Sequence, residues 1–277
     1  MAVSEVTFYK TSKIGYGREL DLFSLPNTDV TAANGKYLKY PPKTQEVDKY
    51  TFIIPASSNY IDLKKTFLSM MVKITKADDS NIDNNQSVGL VNYPVGSLFK
   101  QVNVWVNGVL VKAQGDLYPY KAYFQALLNL SKSAHETYLA GSMWHKDTAE
   151  HMNNQGLKKR GALTNAARAT KGVGIVGNVH SDLFSSDRYL IPDVELKLEF
   201  FLSGPKFALM STAQDEKIKI HDLALNFYHV NPAVSTGLEI ERALNAGYTA
   251  EYPIVSTTIQ PLVIPIESNT FQKFDFF

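Results

Sequence analysis

The chain has 277 residues, a formal net charge of +1 and no cysteine. A chain of this length can bury a large core, as one big β domain or as two smaller ones. The balanced charge gives no global electrostatic reason to bind nucleic acid or an anionic membrane, and the lack of cysteine excludes disulfides, thiolate zinc sites and cysteine catalysis. Aromatic residues make up 12% of the chain, which together with many Val, Ile and Thr residues favours a β protein. No apolar run is long enough to span a bilayer.

The first residues, 1–47, are predicted to form an N-terminal arm rather than part of the core. They contain one short apolar cluster at 19–26, followed by a polar stretch with two adjacent prolines, Pro41 and Pro42. Such a segment runs over a surface or onto a neighbouring molecule. The next segment, 50–55, is a strand candidate. Strict alternation of apolar residues then predicts a longer strand that contains Leu68, Met70, Val72 and Ile74.

A loop rich in Asp and Asn, residues 78–86, has part of the spacing of an EF-hand calcium site. However, Asn84 stands where that motif needs glycine, Leu90 stands where it needs a bidentate glutamate, and no helices flank the loop. A polar loop between strands is therefore the better interpretation. His145 and His151 could ligate a metal only with a third ligand from elsewhere, and none is evident nearby. No metal or cofactor is predicted.

A β-hairpin is predicted at Asn107-Gly108, the dipeptide that best tolerates the two positive φ angles of a type I′ turn. A two-residue turn also sets the register of the flanking strands, because the loop length fixes which residues lie opposite each other. The cross-strand pairs predicted from that register are Val106–Val109, Val104–Val111 and Val102–Ala113. Their side chains would share one face, since strand side chains alternate.

An amphipathic helix follows the hairpin, within a helical insertion near residues 117–141. Pro119 suits its first turn, where the missing N–H has no partner to lose. The residues that recur with helical period are apolar and are predicted to pack on the core: Tyr120, Tyr123, Phe124, Leu127 and Leu128. Lys121 and Gln125 fall outside this stripe. A second short helix is predicted near residues 133–140.

A basic loop is predicted between residues 145 and 173, where no acidic residue occurs from Gly156 to His180. Its basic side chains are Lys158, Lys159, Arg160, Arg168 and Lys171. Two interpretations stay open: weak, non-specific contact with nucleic acid, or a solvated or intersubunit loop in a neutral protein.

The second half of the chain returns to strands. One long strand is predicted from the alternation of Val194, Leu196, Leu198, Phe200 and Leu202. Farther on, the alternating apolar positions shift by one residue, from 218 and 220 to 223, 225 and 227. Such a shift within one strand predicts a β-bulge near His221-Asp222. These two residues do not form a catalytic pair, because strand neighbours point to opposite faces. No nucleophile elbow or phosphate-binding loop occurs in the sequence, so no enzymatic activity is predicted.

The predicted fold is all-β: an antiparallel jelly-roll sandwich of about eight strands with the helical insertion, spanning residues 48–247. A short helix is predicted near residues 235–244, and one or two strands at residues 252–266. Residues 248–277 would then be either the start of a second jelly roll or a C-terminal docking tail. The aromatic end of the chain, with Phe271, Phe274 and Phe276, is unusual for a free, solvated terminus.

Several motifs occur in a consistent order along almost the whole chain. They are ELDLFSLP at 19–26, YIDL at 60–63, LF-x-QV-x-V-x-VNG at 98–108, YPY-x-AY at 118–123, W-x-KD at 144–147, G-x-VHSD at 177–182, RYL at 188–190 and A-x-YPI at 250–254. Together these motifs resemble the major capsid proteins of Polinton (Maverick) elements and adintovirus-like animal viruses. The resemblance implies a double jelly roll, trimers of pseudo-hexagonal outline, an icosahedral capsid and a location in the virion.

One departure from that family is length, because its members carry two jelly rolls and this chain has room for little more than one. The chain is therefore expected to be either a first-domain fragment or a single-jelly-roll relative with a minor, penton-like role. In both cases its partners would be copies of itself and other capsid proteins. The residues expected at subunit contacts are Lys121, Gln125, Trp144, Phe271, Phe274 and Phe276. An alternative from another class is a carbohydrate-binding jelly roll that uses Trp105 or Trp144 as a stacking platform.

Overall fold

In a computed structural model of the protein, residues 32–83, 87–148, 154–164, 172–211 and 215–260 are described. These residues contain mostly antiparallel strands. In chain order the strands are β1 (Ala32–Tyr40), β2 (Thr44–Gln45), β3 (Lys49–Ile54), β4 (Tyr60–Thr75), β5 (Val88–Leu90), β6 (Phe99–Val106), β7 (Val109–Gln114), β8 (Val173–Asn178), β9 (Leu196–Leu202), β10 (Leu209–Ser211) and β11 (Lys217–Pro232).

The helices are short and lie between the strands or after the last one. They are α1 (Pro94–Ser97), α2 (Tyr118–Asn129), α3 (Lys132–Glu136), α4 (Gln155–Thr164), α5 (Pro205–Ala208) and α6 (Val234–Asn245), with 3₁₀ turns at Tyr138–Ser142 and Asp182–Ser185. The predicted helical insertion thus corresponds to α2, α3 and the first 3₁₀ turn. No helix in the described ranges is both long enough and apolar enough to cross a membrane.

The strands form two main sheets, and every strand pair in them is antiparallel. One sheet has the order β1-β11-β4-β8, the other has the order β2-β3-β9-β6-β7, and β10 pairs separately with β5. Strands that are far apart in sequence, such as β4 and β11, are neighbours in space. Side chains from both sheets join one hydrophobic core. This is the predicted antiparallel jelly-roll sandwich.

The alternating strands bury the face that the sequence predicts. On β4 the side chains of Leu68, Met70, Val72 and Ile74 are all buried, and on β9 the same is true of Leu196, Leu198 and Phe200. The ring of Phe200 packs edge-on against Phe52 and Phe99 from β3 and β6, with centroids 5.5 and 5.0 Å apart. Because strand side chains alternate, the polar positions between these residues point away from the core.

The predicted bulge in β11 is confirmed. The pairing of β11 with β4 slips between His221 and Ala224, and Asp222 adopts a positive φ of 50°. After the slip, Leu223, Leu225 and Phe227 are the buried apolar residues. The extra residue therefore changes which set of side chains faces the core, as a bulge does.

The β6–β7 hairpin follows the prediction at its turn but not throughout its register. Asn107 and Gly108 both have positive φ, 46° and 77°, as a type I′ turn requires. Val106 pairs with Val109 as predicted, but Val104 pairs with Lys112 and Val102 with Gln114. The predicted pairs Val104–Val111 and Val102–Ala113 are wrong by one residue, because the register shifts between Val104 and Trp105.

Three segments differ from the sequence-based assignments. Residues 32–40, assigned to an N-terminal arm, form β1 and pair with β11 along their length, while residues 1–31 lie outside the described ranges. Residues 155–164, assigned to a basic loop, form α4. Residues 252–260 form no strand, and the rest of the strand prediction, 261–266, lies outside the described ranges.

Candidate assembly surface

The helix α2 has the opposite orientation to the one predicted from its apolar stripe. The side chains of Tyr120, Phe124 and Leu127 are exposed, and that of Leu128 is 75% exposed. The buried residues of the helix are Tyr118, Pro119, Lys121, Ala122 and Ala126. Most of the predicted core stripe therefore lies on the surface; Tyr123 is the member that is partly buried against the core.

Close packing explains why small residues occupy the inner side of α2. The helix packs on α1 at Gly96, where a Cβ atom would lie only 2.7 Å from the Cβ of Ala122. Such a distance is too short for two carbon atoms, so glycine is needed on α1 and a small residue is needed on α2. The large side chains of the stripe have no room on this side and project outward.

Lys121 lies on the inner side and is only 5% exposed, although the sequence predicts it at a subunit contact. Its ammonium group forms a buried ion pair with Oδ1 of Asp182, which lies at the start of the second 3₁₀ turn. Oδ2 of the same carboxylate accepts a hydrogen bond of 3.3 Å from the backbone N–H of Thr257. Lys121 therefore links α2 to the interior instead of meeting a partner, since a buried charge needs a paired counter-charge.

Gln125 also faces inward, one turn along the helix, where it contacts His180. The amide Oε1 of Gln125 can only accept, so Nδ1 of His180 donates this 2.9 Å hydrogen bond. Nε2 then accepts from the hydroxyl group of Tyr93 at 2.6 Å, and the backbone N–H of His180 donates to the hydroxyl oxygen of Tyr118. Burial, assisted by the positive charge of Lys121, lowers the pKa of His180 to about 4. The imidazole is therefore neutral at physiological pH.

Trp144, the third contact candidate, is buried as well. Its ring is stacked between those of Tyr123 and His135, with centroid distances of 5.1 and 4.7 Å, and meets the edge of Tyr93. Nε2 of His135 lies 2.8 Å from the carbonyl oxygen of Ala126, which joins α3 to α2. Trp144 therefore holds the helical insertion together and offers no free face to a subunit or a sugar.

The segment predicted as a basic loop contains both buried and exposed basic side chains. Arg160 is fully buried, and its guanidinium donates to the carbonyl oxygens of Leu90 and His145 and to Oδ1 of Asp147 at 2.5–2.7 Å. It is a structural residue that fastens α4 to β5. Lys158 and Lys159 are exposed on this helix. Arg168 and Lys171 lie outside the described ranges, as do Phe271, Phe274 and Phe276.

The exposed apolar side chains of α2 form the surface that sequence reasoning missed. We call it the outer face and define it by Tyr120, Phe124, Leu127, Leu128 and, from α5, Phe207, whose ring meets that of Tyr120 at 5.9 Å. A contiguous exposed patch of aromatic and leucine side chains is typical of a protein–protein contact. The small residues Ala122 and Ala126, four apart on the opposite side, were the available signal for this orientation.

The side chains considered for metal binding lie elsewhere in the molecule, away from the aromatic and leucine side chains of the outer face. Within the described ranges, no group of three or more His, Asp or Glu side chains is arranged to hold a metal ion. In the loop considered for calcium, the carboxylate of Asp79 pairs with Lys219 at 3.0 Å and with Lys217 at 3.6 Å. These cations lower the pKa of Asp79, led by the hydrogen bond from Lys219.

The fold is that of an antiparallel jelly roll and is shared with a virion protein. The chain superposes on a chain in the cryo-EM structure of the Sputnik virophage with a TM-score of 0.55 and 11% identity, over 84% of this chain and 55% of that one. A weaker likeness to the mavirus major capsid protein has a TM-score of 0.40 and 15% identity, over 83% of this chain and 50% of that one. The antiparallel sheets and the superposition on the Sputnik chain confirm the predicted fold class.

Sequence comparison finds a nematode relative whose function is unassigned. The chain is 23% identical to the uncharacterized protein F54H12.2 of Caenorhabditis elegans in an alignment of 256 positions that covers 87% of this chain and 59% of that protein. No protein-family model matches the chain. The chain thus spans less than two thirds of the length of the worm protein and of the Sputnik chain.

Proposed function

We propose that the chain is a structural building block of the capsid of a virus or virus-like element, related to the major capsid proteins of Polintons and adintoviruses, and that it assembles through trimers. The observation that carries this proposal is the fold, which resembles that of a Sputnik virion chain over most of the described residues. The motifs spread along the sequence support the same assignment. The partners would be copies of this chain and other capsid proteins, in the virion.

The outer face of α2 supplies a contact surface for such assembly. Obligate interfaces are more apolar than the rest of the surface and are enriched in aromatic residues. The outer face has this composition, with Phe124 46% exposed and Leu128 75% exposed in the single chain. Burial of these side chains against a neighbour would remove apolar surface from water, at about 25 cal/mol per Å².

A minor, penton-like role is the second candidate. The described residues form one sandwich, and the oligomer size measured below separates this role from that of a trimer-forming subunit. The carbohydrate-binding alternative receives less support. Trp144 is stacked between two rings, and the ring of Trp105 is partly covered by Lys197, whose Nζ lies 5.0 Å from the ring centroid.

Size measurement of the purified chain tests the proposal. Light scattering and electron microscopy are expected to show trimers or particles. A strictly monomeric protein that binds a glycan would overturn the capsid assignment. Discrete pentamers without trimers would favour the penton-like role.

A pair of matched variants tests the outer face. Leu128→Glu places a charge on α2, and Val234→Glu places one at an equally exposed apolar position on α6, since these residues are 75% and 79% exposed. Leu128→Glu is expected to reduce the fraction of trimers or particles at least tenfold, and Val234→Glu is expected to leave it unchanged. Equal assembly of the two variants would contradict a role for the outer face.

A further inference from the structure

An apolar groove lies beside the β6–β7 hairpin. Its volume is about 590 Å³. One wall comes from the hairpin and the segment that leads into β9, and the other comes from α6 and the extended chain after it. The apolar lining includes Val106, Val111, Leu183, Leu190, Val194 and Ile254.

The rim of the groove leaves much apolar surface in contact with solvent. Val111 on the hairpin is 42% exposed, and Tyr248 on the opposite wall is exposed still further. Val109, at the tip of the hairpin, is also exposed. A concave apolar site with an exposed apolar rim is a site that another segment can cover.

The C-terminal part of the described chain is fastened along one wall of this groove. The hydroxyl group of Tyr252 accepts a hydrogen bond of 3.0 Å from the backbone N–H of Ile191 and donates one to the carbonyl oxygen of Tyr189. Nη1 of Arg188 donates to the carbonyl oxygen of Glu251, and the backbone N–H of Thr257 donates to Asp182. Asp182 precedes the groove residue Leu183, so the described chain, which ends at Gln260, ends close to the groove.

The remaining segment, residues 261–277, has the composition of a groove ligand. Its sequence, PLVIPIESNTFQKFDFF, contains two apolar clusters, and its charged residues are Glu267, Lys273 and Asp275. Fully extended, it could reach about 60 Å from Gln260. A tether of this kind gives an effective concentration on the order of millimolar, so a weak intramolecular contact would be well populated.

We propose that residues 261–277 dock within the same molecule into this groove and that the side chains of Phe271, Phe274 and Phe276 cover its apolar lining. The geometry of the groove and the exit of the chain beside it carry this inference. It does not depend on a capsid function, because it concerns contacts inside one molecule.

Disulfide trapping tests the proposal, because the chain has no cysteine of its own. The test variant carries Val111→Cys on the groove rim and Gln272→Cys in the tail, which leaves every aromatic side chain in place. The matched control carries Val176→Cys with the same tail cysteine. Val176 lies on β8, an edge strand of the other sheet, outside the groove lining, and is 44% exposed against 42% for Val111.

Both pairs are oxidised in dilute solution with oxidised glutathione, and the cross-linked monomer is followed by non-reducing electrophoresis and intact mass. We expect the Val111 pair to close at least tenfold faster than the Val176 pair. Equal rates for the two pairs would overturn docking in the groove. Cross-linked dimers in place of cross-linked monomers would show that the groove takes the tail of a second copy, which also overturns the proposal.

A second variant separates docking from mere proximity of the tail. Phe271→Ser, Phe274→Ser and Phe276→Ser are combined in the Val111–Gln272 cysteine background, which leaves every other residue of the groove lining in place. If the aromatic side chains hold the tail, the rate of closure falls to that of the Val176 control. An unchanged rate would contradict the assignment of these residues to the groove.

Discussion

The inner face of α2 carries a lysine and a glutamine into the protein interior, whereas its outer face carries tyrosine, phenylalanine and leucine side chains near solvent. On the inner face each polar group has a specific partner: Asp182 for Lys121 and His180 for Gln125. On the outer face the large apolar side chains lack comparable cover within the described chain. The inner face satisfies buried polar groups within the chain, whereas the outer face has the composition of a surface that associates with a neighbour.

The two faces should therefore respond differently to mutation. A change on the inner face leaves a buried polar group without its partner, so its effect should appear in the free energy of unfolding of the single chain. A change on the outer face removes surface that only a neighbour would bury, so its effect should appear in assembly.

Lys121→Met is expected to have the largest effect, because it leaves the carboxylate of Asp182 buried without its counter-charge. Breaking a buried ion pair in this way lowers the free energy of unfolding by roughly 3–5 kcal/mol. Urea unfolding of the variant and of the unmodified chain measures this change in the free energy of unfolding. The control is Lys64→Met, which breaks the exposed pair with Asp187 and should change stability by less than about 1 kcal/mol. Similar values for the two variants would contradict the buried position of Lys121.

Trp144→Ala is expected to lower the free energy of unfolding by roughly 3 kcal/mol, because it empties the space between Tyr123 and His135. Thermal unfolding checks this. The other tryptophan of the chain provides the comparison, since Trp105 is only partly buried and Trp105→Ala should cost less. If Trp144→Ala instead impaired assembly at unchanged stability, the sequence-based assignment of Trp144 to a subunit contact would be restored.

The stability should fall in mild acid through His180. Burial lowers the pKa of this group from 6.5 to about 4, so between these values the unfolded state binds a proton that the folded state does not. The free energy of unfolding is therefore unaffected by His180 above pH 6.5 and declines as the pH falls towards 4, by up to about 3 kcal/mol. Urea unfolding across this range should show a shallower slope for His180→Gln. Burial also lowers the pKa values of His145 and His229, but both remain in the variant, so the difference in slope isolates His180.

Leu128→Ser should have the smallest effect on the single chain. The side chain is 75% exposed, and substitutions at such positions usually change stability by less than about 0.5 kcal/mol. Ala126→Leu, two residues earlier on the inner face, should instead destabilise by about 1–3 kcal/mol through overpacking. The free energies of unfolding of the two variants are compared by chemical unfolding, at a concentration where the protein is monomeric. Equal destabilisation would mean that the outer face is already buried.

The elements that could be predicted are those whose signal is local. Alternation alone identifies β4 and β9, because a strand exposes every second side chain to the same side. The turn at Asn107-Gly108 follows from the positive φ angles that these residues tolerate, and the β11 bulge follows from the slip in apolar phase at His221-Asp222. β1 was missed, because its residues are mostly exposed and carry no apolar alternation.

The sequence by itself determined that residues 118–129 form a helix with one apolar side, since helical period and Pro119 are sufficient for that. Ala122 and Ala126 mark one side as small, but which side faces inward was decided by the tertiary structure. The inner side depends on Gly96, on the carboxylate of Asp182 and on the imidazole of His180, and the last two lie more than fifty residues farther along the chain. Arg160 is a similar case, because its three acceptors come from two separate segments, with Leu90 on one and His145 and Asp147 on the other. A pattern within one helix records which residues share a face, but the partner that covers that face is brought there by the rest of the fold.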